Sequence, residues 1–225
     1  MSRQGRGFLK ILGIALFIIP SLGSAAGNHS RLAVGAGFGG AQLTTIGPSN
    51  DIRLGSGAYF NVEAEKPFGS LPVYFEAGLQ YTHASGSANY SYLSSTNINY
   101  VQNNVNVALD DFGFNVGIRL KIFDNSAFRP YIEAGGDAGY FQLTYDSSLR
   151  SAAITSLGND FKTIDGALDF GFYGEGGFEV DLTETFSLRA GYRYINNSTR
   201  AVDTLRKQQV TYTNGIIYGG LAWHF

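Results

Sequence analysis

The chain has 225 residues, with 30 glycines, 14% aromatic residues, no cysteine and a formal net charge of −2. The lack of cysteine excludes a disulfide framework and a thiol nucleophile, and the lack of a basic surplus argues against nucleic acid as a partner. Abundant glycine and aromatic residues without low complexity predict an all-β chain of many strands.

The first 26 residues have the pattern of a secretory signal peptide. Three basic residues precede an apolar core at residues 11–19, and small residues follow at 24–26. We expect cleavage after Ala26, which leaves 13 basic and 18 acidic residues and a formal net charge of −5. The apolar core is too short to span a bilayer, and no later stretch approaches the roughly 18 apolar residues of a membrane helix. An exported protein without a helical anchor is therefore predicted.

A glycine-rich stretch, LAVGAGFGG, follows at residues 32–40. Gly35, Gly37 and Gly40 match the G-x-G-x-x-G spacing of dinucleotide-binding turns. That fingerprint requires a helix after the third glycine, and Gly47 and Pro48 would break such a helix. We therefore interpret the stretch as a strand with small residues on one face.

Alternation of apolar and polar residues predicts most of the strands. In residues 111–123, apolar side chains from Phe112 to Ile122 alternate strictly with polar residues or glycine. The same pattern, weakest in the first segment, predicts strands at 32–38, 54–64, 73–81, 132–140, 168–182, 186–194 and 217–225. This makes about eight strands, each close to the 9–11 residues that a tilted strand needs to cross a bilayer.

The predicted connections alternate between short and long. Short ones lie at 66–72, 124–130 and 181–185, and long polar ones lie at 41–53, 83–106, 145–164 and 195–209. Short turns on one side and long loops on the other are typical of outer-membrane barrels, with the turns in the periplasm. Glycines on the polar face and aromatics near the strand ends favour this architecture over a soluble sandwich. The prediction is an all-β, eight-stranded antiparallel transmembrane β-barrel over residues 27–225.

Closure of such a barrel requires the first strand to pair with the last. Alternation then directs Gly35, Gly37 and Gly39 into the lumen, where missing side chains leave room for aromatics such as Tyr59 and Tyr218. The side chains expected to meet lipid on the same strand are Leu32, Val34 and Phe38.

The chain ends in IIYGGLAWHF, with Trp223 and the terminal Phe225 on one face. This ending resembles the C-terminal signature of bacterial outer-membrane barrels, in which the assembly machinery reads the last aromatic residue. The whole chain resembles the small eight-stranded family that includes the OmpA membrane domain, OmpW and the opacity-type surface proteins. The resemblance implies a Gram-negative outer-membrane location, an assembly-signal role for both residues, and contacts with lipid, lipopolysaccharide and the assembly machinery. It specifies an architecture rather than a function.

A Tyr-x-Glu-x-Gly pattern recurs on three predicted strands, beginning at Tyr74, Tyr131 and Tyr173. Its glutamates fall on the polar face, at the same depth in the predicted lumen as two arginines. Because an unpaired charge in a narrow lumen would cost several kcal/mol, we expect a salt-bridge layer that closes the lumen. Its predicted members are Glu63, Glu76, Arg119, Glu133, Glu175 and Arg189.

The pattern leaves more than one function open. Tyr90, Tyr92 and Tyr100 lie among serines and asparagines in a predicted loop, a composition typical of recognition surfaces for a host or matrix molecule. The resemblance to OmpW allows a narrow passage for small solutes instead. His83-Ala84-Ser85 resembles the His-x-Ser spacing of a lipid A deacylase family and faces lipid near the outer rim, but no acidic partner is identifiable.

We predict a non-enzymatic surface protein with an adhesion or envelope-structural role. No metal or cofactor is expected, because the three histidines lie far apart in the sequence and show no metal-ligand spacing.

Overall fold

The computed structural model describes residues 30–45, 52–93, 99–123, 126–145, 164–202 and 208–225. In these residues eight antiparallel strands follow one another, each pairs with the next, and the last closes on the first. The strands are β1 Arg31–Thr45, β2 Ile52–Pro67, β3 Val73–Leu93, β4 Asn99–Lys121, β5 Phe128–Tyr145, β6 Ile164–Asp181, β7 Phe186–Val202 and β8 Gln208–His224. The predicted eight-stranded antiparallel barrel is confirmed. The predicted signal peptide lies outside the described residues.

The barrel has a turn end and a loop end. The turn end carries the short connections at 68–72, 122–127 and 182–185, together with Phe225. The loop end lies opposite, where the strands lead into 46–51, 94–98, 146–163 and 203–207, which are outside the described residues. No helix in the described part of the chain is long and apolar enough to cross a membrane.

Most strands extend further toward the loop end than the alternation predicts. The prediction of a loop over residues 83–106 is wrong for most of that segment, because β3 continues to Leu93 and β4 begins at Asn99. The segment has no alternating apolar face, so its sequence reads as a loop. The two strands nevertheless pair with each other and satisfy their backbone donors and acceptors in this way.

The outer face of the barrel carries a belt of exposed apolar side chains. On β4 the belt covers residues 112–120, close to the roughly 9–11 residues that a tilted strand needs to cross a bilayer. Its members on the other strands include Val34, Phe38, Phe60, Phe75, Ile132, Phe172, Leu188, Ile217 and Leu221. Polar side chains face the lumen at the same level, as expected for a strand between lipid and a polar interior.

Beyond this belt, toward the loop end, the polarity inverts. On β4, Asp111 faces the lumen and Phe112 faces outward, whereas Leu109 faces inward and Asp110 outward. Water therefore replaces lipid as the outer environment, and apolar side chains move inside. These inner side chains form a loop-end core that includes Leu43, Leu54, Val107, Leu109, Phe141, Leu143 and Ile195.

Strands β1 and β8 close the barrel in continuous register, from Arg31 opposite His224 to Thr45 opposite Val210. Gly37 lies opposite Tyr218, and a Cβ atom on Gly37 would lie 2.6 Å from Tyr218 Cβ. The inward orientation expected for the glycines of β1 is confirmed, as is the outward orientation of Phe38, which is 62% exposed.

The substitution Gly37→Leu should prevent barrel closure. A side chain at this position would overlap Tyr218 and the carbonyl oxygen of Ile217, and neither can move without separating β1 from β8. The measurement is heat-modifiable gel mobility after refolding into detergent. Ala36→Leu is the matched control, because Ala36 faces outward and is exposed. Normal folding of the Gly37→Leu variant would contradict this account of the seam.

Candidate functional site

Arg119 lies at the centre of the lumen and is fully buried. Its Nη2 atom lies 2.5 Å from a carboxylate oxygen of Glu76 and 2.5 Å from one of Glu133. The same nitrogen lies 3.2 Å from Glu175, and Nη1 pairs with Glu65. One guanidinium on β4 thus pairs with carboxylates from β2, β3, β5 and β6.

Two arginines on β7 extend these contacts across the lumen. Arg193 Nη2 lies 2.5 Å from Glu63 Oε1, and its Nε donates to Glu175 Oε2 at 2.5 Å. Its Nη1 also donates to the hydroxyl of Tyr59 at 2.8 Å. Arg189 Nη1 lies 2.7 Å from the second oxygen of Glu63. Glu63 is therefore held from two sides.

A third group of ion pairs lies toward the turn end. Lys121 Nζ lies 2.7 Å from Glu65 Oε2 and 3.1 Å from Glu179 Oε2. Arg129 Nη2 and Arg31 Nη1 lie 2.8 Å and 3.2 Å from the other oxygen of Glu179. Both glutamates are fully buried, so these cations neutralise charges that do not meet water.

Together these residues form what we call the charge layer, in which six carboxylates face six cations. Every member is buried and takes part in at least one ion pair with another member. Its members are Glu63, Glu65, Glu76, Glu133, Glu175, Glu179, Arg31, Arg119, Lys121, Arg129, Arg189 and Arg193. Their buried side chains occupy the part of the lumen around Arg119.

Two of the three copies of the Tyr-x-Glu-x-Gly pattern, those on β5 and β6, pack against each other. Tyr131 on β5 lies opposite Gly177 on β6, and Gly135 on β5 lies opposite Tyr173 on β6. A Cβ atom on Gly177 would lie 2.6 Å from the Tyr131 hydroxyl, and one on Gly135 would lie 2.6 Å from Tyr173 Cε1. Each tyrosine thus occupies the space over the partner's glycine. The Arg119 guanidinium then lies 4.4 Å from the Tyr131 ring centroid, within cation–π range.

The structure places all six residues of the predicted salt-bridge layer in the charge layer. Sequence reasoning did not include the other six members of the charge layer, although two of them, Glu65 and Arg193, lie on the same strand face as a predicted member. Glu65 follows Glu63 by two residues, and Arg193 follows Arg189 by four. Continuing the alternation along β2 and β7 would have found both residues.

One compact group at the turn end has the composition of a metal site. Ligand atoms of Glu179, Asp181 and His224 lie within 4.8 Å of one another. However, Arg129 pairs with both carboxylates, and Arg31 also pairs with Glu179. The group is therefore already neutralised by guanidinium groups, and we assign it to the margin of the charge layer.

The C-terminal aromatics lie on the outer face at the turn end. The Trp223 ring stacks on Phe186 with centroids 6.4 Å apart, and Phe225 packs edge-on against Trp223 at 5.7 Å. The backbone N–H of Phe225 donates to the carbonyl oxygen of Ser30 at 3.0 Å. This position suits an interfacial aromatic girdle, while the role of both C-terminal residues as an assembly signal stays a prediction.

The three tyrosines predicted as a loop surface lie on strands instead. Tyr92 pairs with Tyr100, and Tyr90 pairs with Gln102, in an extension of β3 and β4 that we call the β3–β4 ribbon (residues 88–93 and 99–105). Pairing of β3 with β2 ends at Ser87, and pairing of β4 with β5 ends at Val107. In the described part of the chain, the ribbon therefore has no paired neighbour on either edge.

A polar cluster lies on the outer face at the border of the apolar belt. His83 Nδ1 lies 2.8 Å from Asp110 Oδ1, and the Tyr81 hydroxyl donates to the same oxygen at 2.6 Å. Because a carboxylate oxygen accepts hydrogen bonds, His83 Nδ1 is the donor in this contact, and Nε2 takes no part in it. Ser85, two residues further along β3, is exposed on the same face.

Asp110 is the acidic partner that the His-x-Ser pattern lacked. It lies directly opposite His83 in the register of β3 and β4, although the two residues are 27 positions apart in the sequence. The pattern alone does not reveal this partner, because the pairing register of two strands cannot be read across an intervening segment of unknown structure.

Comparison with known proteins identifies one family. The sequence profile of the outer membrane protein beta-barrel domain matches residues 12–225. No curated protein matches the sequence. Solved structures with a similar fold include Neisserial surface protein A (18% identity, 86% of this chain and 97% of that one, TM-score 0.47). Others are OprG from Pseudomonas aeruginosa (14%, 87% and 96%, TM-score 0.48) and the protease OmpT from Escherichia coli (8%, 90% and 98%, TM-score 0.49). At sequence identities of 18% or less and TM-scores below 0.5, these similarities add nothing about function.

The substitution Arg119→Leu should lower the free energy of unfolding by about 3–5 kcal/mol, because Glu133 loses its only cation among the described residues and Glu65, Glu76 and Glu175 each lose one of theirs. The measurement is urea unfolding in detergent. Lys66→Leu is the control, since Lys66 is exposed on the outer face and should leave stability close to that of the wild type. A loss below about 0.5 kcal/mol for Arg119→Leu would mean that this arginine meets water in an open lumen.

Proposed function

Because the chain belongs to the family of outer membrane protein β-barrel domains, we propose that it is a surface protein with a closed barrel as its membrane anchor. The family locates the barrel in the bacterial outer membrane. In this proposal the loop end contacts molecules outside the cell, in an adhesion or envelope-structural role. The observation that carries the proposal is the charge layer, whose paired side chains occupy the lumen where a channel would need open space.

A passage for small solutes is the alternative, and two features weigh against it. Opening the lumen would separate several buried ion pairs, and removing one partner from such a pair costs about 3–5 kcal/mol. A second barrier lies beyond the charge layer, because Leu43, Leu109, Phe141 and Leu143 are fully buried in the loop-end core. A solute would have to cross both a charged and an apolar obstruction.

The β3–β4 ribbon is the part of the loop end best suited to recognition. Strands β3 and β4 are the longest of the barrel, with 21 and 23 residues. The ribbon edges, which have no paired neighbour among the described residues, offer a row of backbone donors and acceptors to which an extended partner can add. The sequence of the ribbon is rich in tyrosine, serine and asparagine, which suits adaptable contacts with a host or matrix protein.

Replacing residues 88–104 by a short Gly-Ser link should abolish adherence and leave the barrel folded, because the ribbon lies beyond the last pairs with β2 and β5. The measurement compares how well bacteria that display each form adhere to immobilised extracellular-matrix extract. Heat-modifiable gel mobility is the folding control. A variant with serine in place of Tyr90, Tyr92 and Tyr100 tests the side chains separately from the backbone edges. Full adherence of the shortened form would exclude the ribbon as the adhesion site.

The cluster of His83, Asp110 and Ser85 favours a second function, hydrolysis of an ester in an outer-leaflet lipid. In this scheme Ser85 Oγ attacks the ester carbonyl while its proton passes to His83 Nε2, and Asp110 holds the imidazole through Nδ1–H. The leaving alcohol then takes the proton from His83, and a water molecule attacks the acyl-serine to release the fatty acid. The cluster lies where the apolar belt ends, which is where a lipid ester would meet it.

Lipid A from cells with and without the protein tests this second function by mass spectrometry. If the protein hydrolyses lipid esters, the wild type should remove an acyl chain, and Ser85→Ala should leave lipid A intact. Ser87→Ala is the matched control, because Ser87 is exposed and lies two residues further along β3. Unchanged lipid A in cells with the wild-type protein would dismiss the hydrolase and leave the anchor proposal unaffected.

A further inference from the structure

Three buried aspartates lie in the lumen apart from the charge layer. Asp111 and Asp169 are fully buried, Asp137 is 5% exposed, and none of them forms an ion pair with a described residue. The described lumen therefore contains nine buried carboxylates and six buried Lys and Arg side chains. Because the six glutamates already pair with all six cations, these aspartates leave a surplus of three negative charges when they are ionised. Burial of an uncompensated carboxylate is costly, so each of these groups must take up either a proton or a cation.

Neutral side chains connect two of these aspartates. Asn197 Nδ2 donates to Asp169 Oδ2 at 2.8 Å and also donates to Asp137 Oδ1. Gln80 Nε2 donates to the other oxygen of Asp137 at 2.7 Å. These amides orient the carboxylates but carry no charge, so they do not remove the surplus. Both oxygens of Asp137 are occupied, which leaves Asp111 and Asp169 with free coordination sites.

Among the described residues, Asp111 has no hydrogen-bond donor at either carboxylate oxygen, and Asp169 has none at Oδ1. The two side chains converge on the space above Gly139. The position that a Cβ atom on Gly139 would take lies 2.9 Å from Asp111 Oδ1 and 2.6 Å from Asp169 Oδ1. The missing side chain of Gly139 on β5 thus allows two buried acidic oxygens, unpartnered among the described residues, to approach the same point from β4 and β6, the strands on either side.

We propose that Asp111 and Asp169 bind a cation in the lumen, and that Ca²⁺ is the ion that fits best. Carboxylate and amide oxygens are the ligands that hard cations prefer, and Ca²⁺ tolerates irregular coordination completed by water, whereas Mg²⁺ demands a near-ideal octahedron. A divalent ion compensates two of the three surplus charges. The site lies between the charge layer and the loop-end core and is distinct from the group at Glu179, which guanidinium groups already neutralise.

The position of the site determines how the ion enters. Leu109 and Leu143 are fully buried between the aspartates and the loop end, and the charge layer lies on the opposite side. Neither direction offers a hydrated path in the closed barrel. The ion therefore binds while the strands close and exchanges slowly afterwards, so it must be supplied during refolding.

The test refolds the wild type and the Asp111→Asn/Asp169→Asn double variant from urea into detergent, with either Ca²⁺ or EDTA present. After free ion is removed, the wild type should retain about one Ca²⁺ per chain by atomic emission, and the double variant should retain none. The thermal midpoint of the wild type should rise by several degrees in Ca²⁺, because the ion binds only the folded state. The midpoint of the double variant should not respond. Asp110→Asn is the matched control and should bind Ca²⁺ like the wild type, because Asp110 faces outward.

The EDTA arm gives an independent readout. Without the ion, the double variant should be more stable than the wild type, because it lacks two uncompensated negative charges. A wild type that refolds without bound Ca²⁺ and has the same midpoint in Ca²⁺ and EDTA would overturn the proposal. A midpoint that rises only on acidification would also overturn it, since it would show neutral carboxylic acids instead of a bound cation. If the double variant does not fold, the Ca²⁺ content of the wild type decides the question.

Discussion

The pairing of buried charges in the lumen is the interaction on which the rest of the structure depends. A carboxylate or guanidinium held away from water in a narrow barrel must have a partner, and Arg119 contacts glutamates from four other strands. This requirement also fixes the strand register. A slip of one residue on β2 would move Glu63 and Glu65 from the lumen into lipid, so each charge pair stabilises one alignment of the strands.

The same constraint explains which parts of the fold can be predicted from the sequence. Lipid outside and a polar lumen inside impose a period of two residues on the polarity of each strand. The strand at Phe112 to Ile122 and the inward position of Glu63 can therefore be predicted from alternation. Beyond the apolar belt this signal is lost, because water lies outside and apolar side chains lie inside. Alternation there has the opposite phase, and the sequence of the ribbon shows no regular alternation of apolar and polar residues. Residues 83–106 therefore read as a loop, although most of them pair as strands.

Contacts between residues far apart in the sequence account for what sequence reasoning missed in the candidate sites. The pairing of His83 with Asp110 depends on the β3–β4 register, and the charge surplus at Asp111 becomes visible only when each buried glutamate is matched with its cation. Both proposed functions at the loop end also involve these two strands. The ribbon extends from β3 and β4, and the polar cluster lies on their outer face, so both proposals concern the same hairpin.

Thiol accessibility tests the closed lumen most directly. The chain has no cysteine, so a single introduced cysteine reports on one position. Ser187→Cys and Thr82→Cys place a thiol at buried lumen positions near the turn end and near the loop-end core, and Ser85→Cys places one on the exposed outer face. A closed lumen predicts that a membrane-impermeant maleimide labels the Ser85→Cys variant rapidly and labels the two lumen variants only after unfolding. Labelling of either folded lumen variant at the rate of the Ser85→Cys control would contradict the account.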